Sequence, residues 1–129
     1  MPADPVEEWL SKAEEDERAL IILKTAGGPW SPAAYHAQQA AEKYIKAVLV
    51  AGSQTPRKTH DLLQLLSLYT GTPPPPAVET AASMLSAFAW FTQYPGGPVI
   101  DEHPIAQAEA DLAEIKAWSY SETGRGGTP

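Results

Sequence analysis

Between Tyr35 and Lys46 the chain reads Tyr-His-Ala-Gln-Gln-Ala-Ala-Glu-Lys-Tyr-Ile-Lys, a stretch that sets a histidine, two amides, a carboxylate and two lysines among alanines. On a helical wheel His36, Gln39, Lys43 and Lys46 fall on one side, while Ala34, Ala41, Ile45, Val48 and Leu49 fall on another. The cations of that polar side suit phosphate, and Gln39, with His60 further on, suits hydrogen bonds to a ligand. Gln38 and Glu42 lie at the border of the apolar side, one turn apart, where a carboxylate loses water unless it finds a partner. Spacing allows Glu42 to bond Gln38 on one side and Lys46 on the other, with His60 of the following helix as a further donor. Two readings stay open: a buried network that fixes how two helices pack, or an orienting residue beside a ligand site.

A second group follows in Arg57-Lys58-Thr59-His60-Asp61. A His at a helix entry beside a basic loop can act on phosphate esters as base or proton donor, which makes His60 the candidate catalytic residue. The alternative is local packing and bonding of His60 at the helix entry. The three histidines fall on separate elements, His36 in a second helix, His60 at the start of a third and His103 in a loop, and no ligand spacing joins them into a metal site. With no cysteine, disulfides, thiolate metal sites and a Cys nucleophile are excluded. Phosphate-loop, dinucleotide, zincin and nucleophile-elbow patterns are absent, and no cofactor is expected.

These residues must be positioned by helices. Asp4-Pro5-Val6-Glu7 has the form of a capping box with proline at the first helical position, and Val6, Trp9, Leu10, Ala13, Leu20 and Ile21 then recur at helical spacing up to Gly27-Gly28. Glu14 to Glu17 read as a solvated acidic face with no role. Ser31-Pro32 opens the second helix and Gly52 suits its end. Thr59 can cap a third helix carrying Leu62, Leu65, Leu66 and Tyr69, with Asp61 in its first turn and Gly71 as its stop. Pro73 to Pro76 form a stiff connector. Val78, Ala81, Leu85, Phe88 and Phe91 mark a fourth helix that ends at Pro95-Gly96-Gly97-Pro98, and Ile105, Ala108, Leu112 and Ile115 mark a fifth. The expectation is an all-α, antiparallel up-and-down bundle of four to five helices over residues 1–123, with a flexible Gly-rich tail at 124–129. Trp9, Trp30, Trp90 and Trp118 occur singly on different elements and read as core or loop anchors.

At 129 residues the chain has room for one core. A net charge of -7 argues against general phosphate binding over the whole surface. Between Ser31 and Pro76, however, Lys43, Lys46, Arg57 and Lys58 outnumber Glu42 and Asp61, leaving a small basic face. With no apolar signal region and no apolar run long enough to span a bilayer, the expectation is a soluble, cytoplasmic protein.

The helix-two stretch, the Lys-Thr-His-Asp-Leu that follows a polar loop, and a later Tyr-Pro-Gly turn together resemble the HEPN domains of prokaryotes over Trp9 to about Trp118. The resemblance implies a helical bundle that forms homodimers, is paired with a small nucleotidyltransferase of the polymerase-beta type, and in some pairs serves as toxin or antitoxin. It also implies that catalytic members are metal-independent ribonucleases with an Arg roughly four to six residues ahead of a His. Here only Lys58 and Thr59 separate Arg57 from His60, and relatives with Arg-Tyr-Pro are matched by Gln93-Tyr94-Pro95. The expected function is therefore a nucleotide- or RNA-binding, non-catalytic or weakly catalytic partner of a nucleotidyltransferase. Its ligand-binding residues would be His36, Gln39, Glu42, Lys43, Lys46, Arg57, Lys58 and His60. The alternatives are a metal-independent ribonuclease using His60 and a structural adaptor that binds protein through apolar helix faces.

Overall fold

The structure is a computed structural model that describes residues 4–92, 95 and 101–125. It is an all-α bundle of five helices, α1 Pro5–Ala26, α2 Trp30–Ala51, α3 Leu62–Ser67, α4 Pro76–Thr92 and α5 Glu102–Glu122, with no strand among the described residues. Gln93, Tyr94, the segment 96–100 and the tail 126–129 lie outside the described residues.

Local chemistry accounts for most helix ends. Asp4 accepts a 2.9 Å hydrogen bond from the Val6 amide with Pro5 at the first helical position, and Gly27 ends α1 in the left-handed conformation at φ 83°. Elsewhere the caps shift from their expected places. Ser31 does not cap α2, which begins at Trp30 behind an extended Pro29 and has no side-chain cap. Asp61, expected inside α3, is its cap and accepts from the Leu63 and Gln64 amides, while the Thr59 hydroxyl accepts from the Asp61 amide one step earlier. That helix ends at Ser67, well before Gly71. Pro76 begins α4, because the first turn has no use for the missing amide, so the stiff connector is shorter than the four-proline run. Asp101 caps α5 by accepting from the His103 amide, which places His103 in a first helical turn and not in a loop.

α2 runs through the middle and packs against each of the other four helices. Ala33, Ala34, Ala37, Ala40, Ala41 and Ala47 are fully buried along it, and such small side chains let neighbours approach on nearly every side. Tyr44, Ile45, Leu20, Leu49, Leu62, Leu65, Leu85, Ile105, Leu112 and Ile115 fill the remaining space. Ser119 of α5 donates a buried 2.8 Å bond to the Tyr44 carbonyl and so seats α5 on α2. Arg125, placed by sequence in the tail, donates to Asp4 and Glu7 of the α1 start. Ile21 departs from its expected place in the core, with 46% of its surface exposed. Among the tryptophans, Trp118 is buried and Trp9 and Trp30 are partly buried against the core, but Trp90 is 58% exposed.

Candidate functional site

The polar stripe of α2 is divided between two carboxylates and a cleft. Asp16 of α1 is buried, and it receives His36 Nδ1 at 2.8 Å on one oxygen and the Lys43 ammonium on the other. Its neighbour Glu17 accepts from the Tyr44 hydroxyl at 2.7 Å and pairs with Lys116 of α5 at 3.0 Å. The acidic run is therefore not a uniformly solvated face. Asp16 sits three and four residues from the buried Ala13 and Leu20 and shares their inward side. Sequence patterning gives Asp16 no role, although its position in the apolar stripe is a signal that could have found it.

Glu42 is the second hub. Its carboxylate is 5% exposed and takes the Lys46 ammonium at 2.9 Å on one oxygen and His60 Nδ1 at 2.9 Å on the other, while Lys46 also lies 5.3 Å from the centre of the Trp9 ring. The bonds from Lys46 and His60 are those the spacing suggests. Gln38 does not complete the set; its amide nitrogen donates 2.8 Å to the backbone carbonyl of His60, and its oxygen accepts 3.0 Å from Gln39. The imidazole of His60 stays 81% exposed. A carboxylate on Nδ1 accepts a proton there, so neutral His60 presents Nε2 outward as an acceptor.

His60 borders a cleft of about 770 Å³ between α2, the approach to α3 and α4, lined by Tyr35, Gln38, Gln39, His60, Asp61, Ser86, Ala87, Ala89 and Trp90. Exposed rings of Tyr35 and Trp90 stand on different helices at its rim, and the amides, His60, Asp61 and Ser86 make it polar. Ser86 also accepts from the Leu62 amide at 3.3 Å, which ties the start of α3 to α4. Among the described residues no Lys or Arg lines it.

Of the eight sequence candidates, Gln39 and His60 reach the cleft and Glu42 lies directly behind His60. His36, Lys43 and Lys46 are drawn onto Asp16 and Glu42. Arg57 and Lys58 are exposed on the loop that leads to His60, outside the lining. Tyr35, Asp61, Ser86 and Trp90 are site residues that sequence patterning misses, because only the packing of α4 beside α2 brings them together. Among the described residues no three His, Asp or Glu converge to hold a metal ion.

The all-helical bundle has known counterparts. The HEPN domain model matches residues 6–120, and the chain belongs to the HEPN domain family. Solved structures with the same fold include TT1696 from Thermus thermophilus, with a TM-score of 0.81, 23% identity, and coverage of 93% of this chain and 99% of that one. They also include ST0689, an archaeal HEPN homologue, with a TM-score of 0.77, 23% identity, and coverage of 94% and 99%. At such identity the likeness concerns the fold. No curated protein sequence matches the chain, and no described helix is long and apolar enough to cross a membrane.

Proposed function

We propose that this HEPN protein binds a nucleotide or single-stranded RNA in the Tyr35–Trp90 cleft without cleaving it, and acts as the accessory partner of a nucleotidyltransferase, with the homodimeric assembly and toxin–antitoxin setting that its sequence motifs imply. The observation that carries the binding part is the cleft itself: two exposed aromatic rings beside orienting amides, the combination that holds a flat heterocycle by stacking and edge hydrogen bonds. The non-catalytic part rests on the missing upstream Arg and on the engagement of Lys43 and Lys46 with carboxylates, which leaves no cation among the described lining residues to stabilise charge at a reacting phosphate. Partnership with a nucleotidyltransferase rests on the motif resemblance alone. Thermal-shift and titration measurements with nucleotides and short RNA test the binding; no response at millimolar ligand, in protein folded by circular dichroism, would leave the adaptor reading.

One geometric feature favours a second reading. Glu42 holds the exposed imidazole of His60 through Nδ1, which leaves Nε2 outside that bond on a residue that lines the cleft, the arrangement a general base requires. RNA turnover that survives chelator and disappears in a folded His60→Ala variant would establish a ribonuclease.

A further inference from the structure

Resting on the binding reading above, we infer that the cleft recognises an amino-bearing base and leaves phosphate outside. The hydrogen-bonding positions that remain open in the lining decide between bases. A backbone carbonyl can only accept, so the bond from Gln38 to the His60 carbonyl fixes the Gln38 amide nitrogen on that side. Its oxygen must then face Gln39, which must answer with its own nitrogen, as observed. This one-way relay leaves Gln39 with its oxygen and one N–H to offer.

The other groups add mostly acceptors. Asp61 uses Oδ1 to cap α3 and keeps Oδ2. His60 gives Nδ1 to Glu42 and in its neutral form offers Nε2 as an acceptor. Ser86 already accepts from Leu62 and retains a rotatable hydroxyl proton. Among Gln39, Asp61 and neutral His60, three acceptors thus stand against a single donor, beside the rotatable hydroxyl of Ser86. A ligand that complements this set is rich in N–H donors, as adenine is through its 6-amino group and guanine through N1 and its 2-amino group. Uracil, with one N–H between two carbonyls, meets acceptors with acceptors. Phosphate is acceptor-only, and here it would face the Asp61 carboxylate with no cation among the described lining residues.

Calorimetric titration of the full chain with adenosine, guanosine, inosine, uridine and ATP tests this. Guanosine should bind about tenfold more tightly than inosine, which differs only by the 2-amino group, and adenosine about tenfold more tightly than uridine. ATP should bind no more tightly than adenosine, with an affinity that stays flat between low and moderate salt. Asp61→Asn keeps a helix-capping side chain while exchanging an acceptor for a donor, so the variant should fold normally and narrow the guanosine–inosine gap. Affinity that climbs with phosphate number and falls steeply with salt, or uridine equal to adenosine, would overturn the base-reading inference while sparing nucleotide binding. No binding by any of the five ligands would overturn the binding reading and this inference together.

Discussion

Glu42→Gln should unfold the protein at a temperature about 10 °C lower, and the reason lies in the hub that this carboxylate occupies. The carboxylate is 5% exposed, Lys46 is 12% exposed, and they meet at 2.9 Å. At an effective dielectric of about 20 their gross attraction is about 6 kcal/mol, of which desolvation of both ions takes back a large part. Removing only the carboxylate charge leaves Lys46 packed over Trp9 with no counter-charge, a loss of about 3 kcal/mol. For a chain of this length each kcal/mol moves Tm by about 3–4 °C. Replacing both partners, Glu42→Leu with Lys46→Met, removes the stranded charge and should restore stability to within about 1 kcal/mol, since His60 is exposed and returns to water. The assay is urea unfolding of the wild type, Glu42→Gln and the double variant side by side. A single substitution that costs less than about 0.5 kcal/mol, or a double variant no better than the single, would refute the account of Glu42 as a desolvated hub.

Neighbouring groups give further expected outcomes. Asp16→Ala should destabilise by about 2–3 kcal/mol in the same urea assay, because it strands Lys43 and leaves His36 without its partner. Lys43→Met should change nucleoside affinity less than about twofold by calorimetry, its ammonium being held on Asp16 away from the cleft. Tyr35→Ala and Trp90→Ala should each weaken nucleoside binding by about 1–3 kcal/mol while leaving Tm within a few degrees, since both rings are exposed. Tyr120 is pushed up to about 12, first by burial and then by its bond to Glu14, and burial also raises Tyr44. The folded state therefore keeps phenolic protons that the unfolded chain releases near 10, so stability should fall as pH rises from about 10 to about 12. Tyr120→Phe should flatten that fall, read by circular dichroism melts across the range.

The bundle was legible because its signals are local. Asp4-Pro5 and Gly27 bracket α1 within a few residues of sequence, and the apolar spacing of Leu62, Leu65 and Leu66 marks α3 even though its cap, Asp61, lies later than the expected Thr59. The Glu42 hub was partly legible for the same reason, since Lys46 is one helical turn away. Asp16 was obscured by acidic neighbours that do face water, and only its partners on α2 distinguish it. The cleft was least legible. Tyr35 and Trp90 are far apart in sequence, each ordinary on its own helix, and nothing in either local pattern tells that the packing of α4 on α2 brings both to one cleft. The cations misled in the opposite direction, because a helical wheel shows Lys43 and Lys46 on the polar side without showing which carboxylates they answer.

The most direct test of the cleft is a nitrogen-15 chemical-shift map of the full chain titrated with guanosine and adenosine. The side-chain amides of Gln38 and Gln39 and the Trp90 indole N–H should move together and saturate, while the amides of α1 around Lys12 and Lys24 stay in place. Unmoved Gln39 and Trp90 signals at millimolar nucleoside, or shifts confined to α1, would contradict the assignment of this cleft as the binding site.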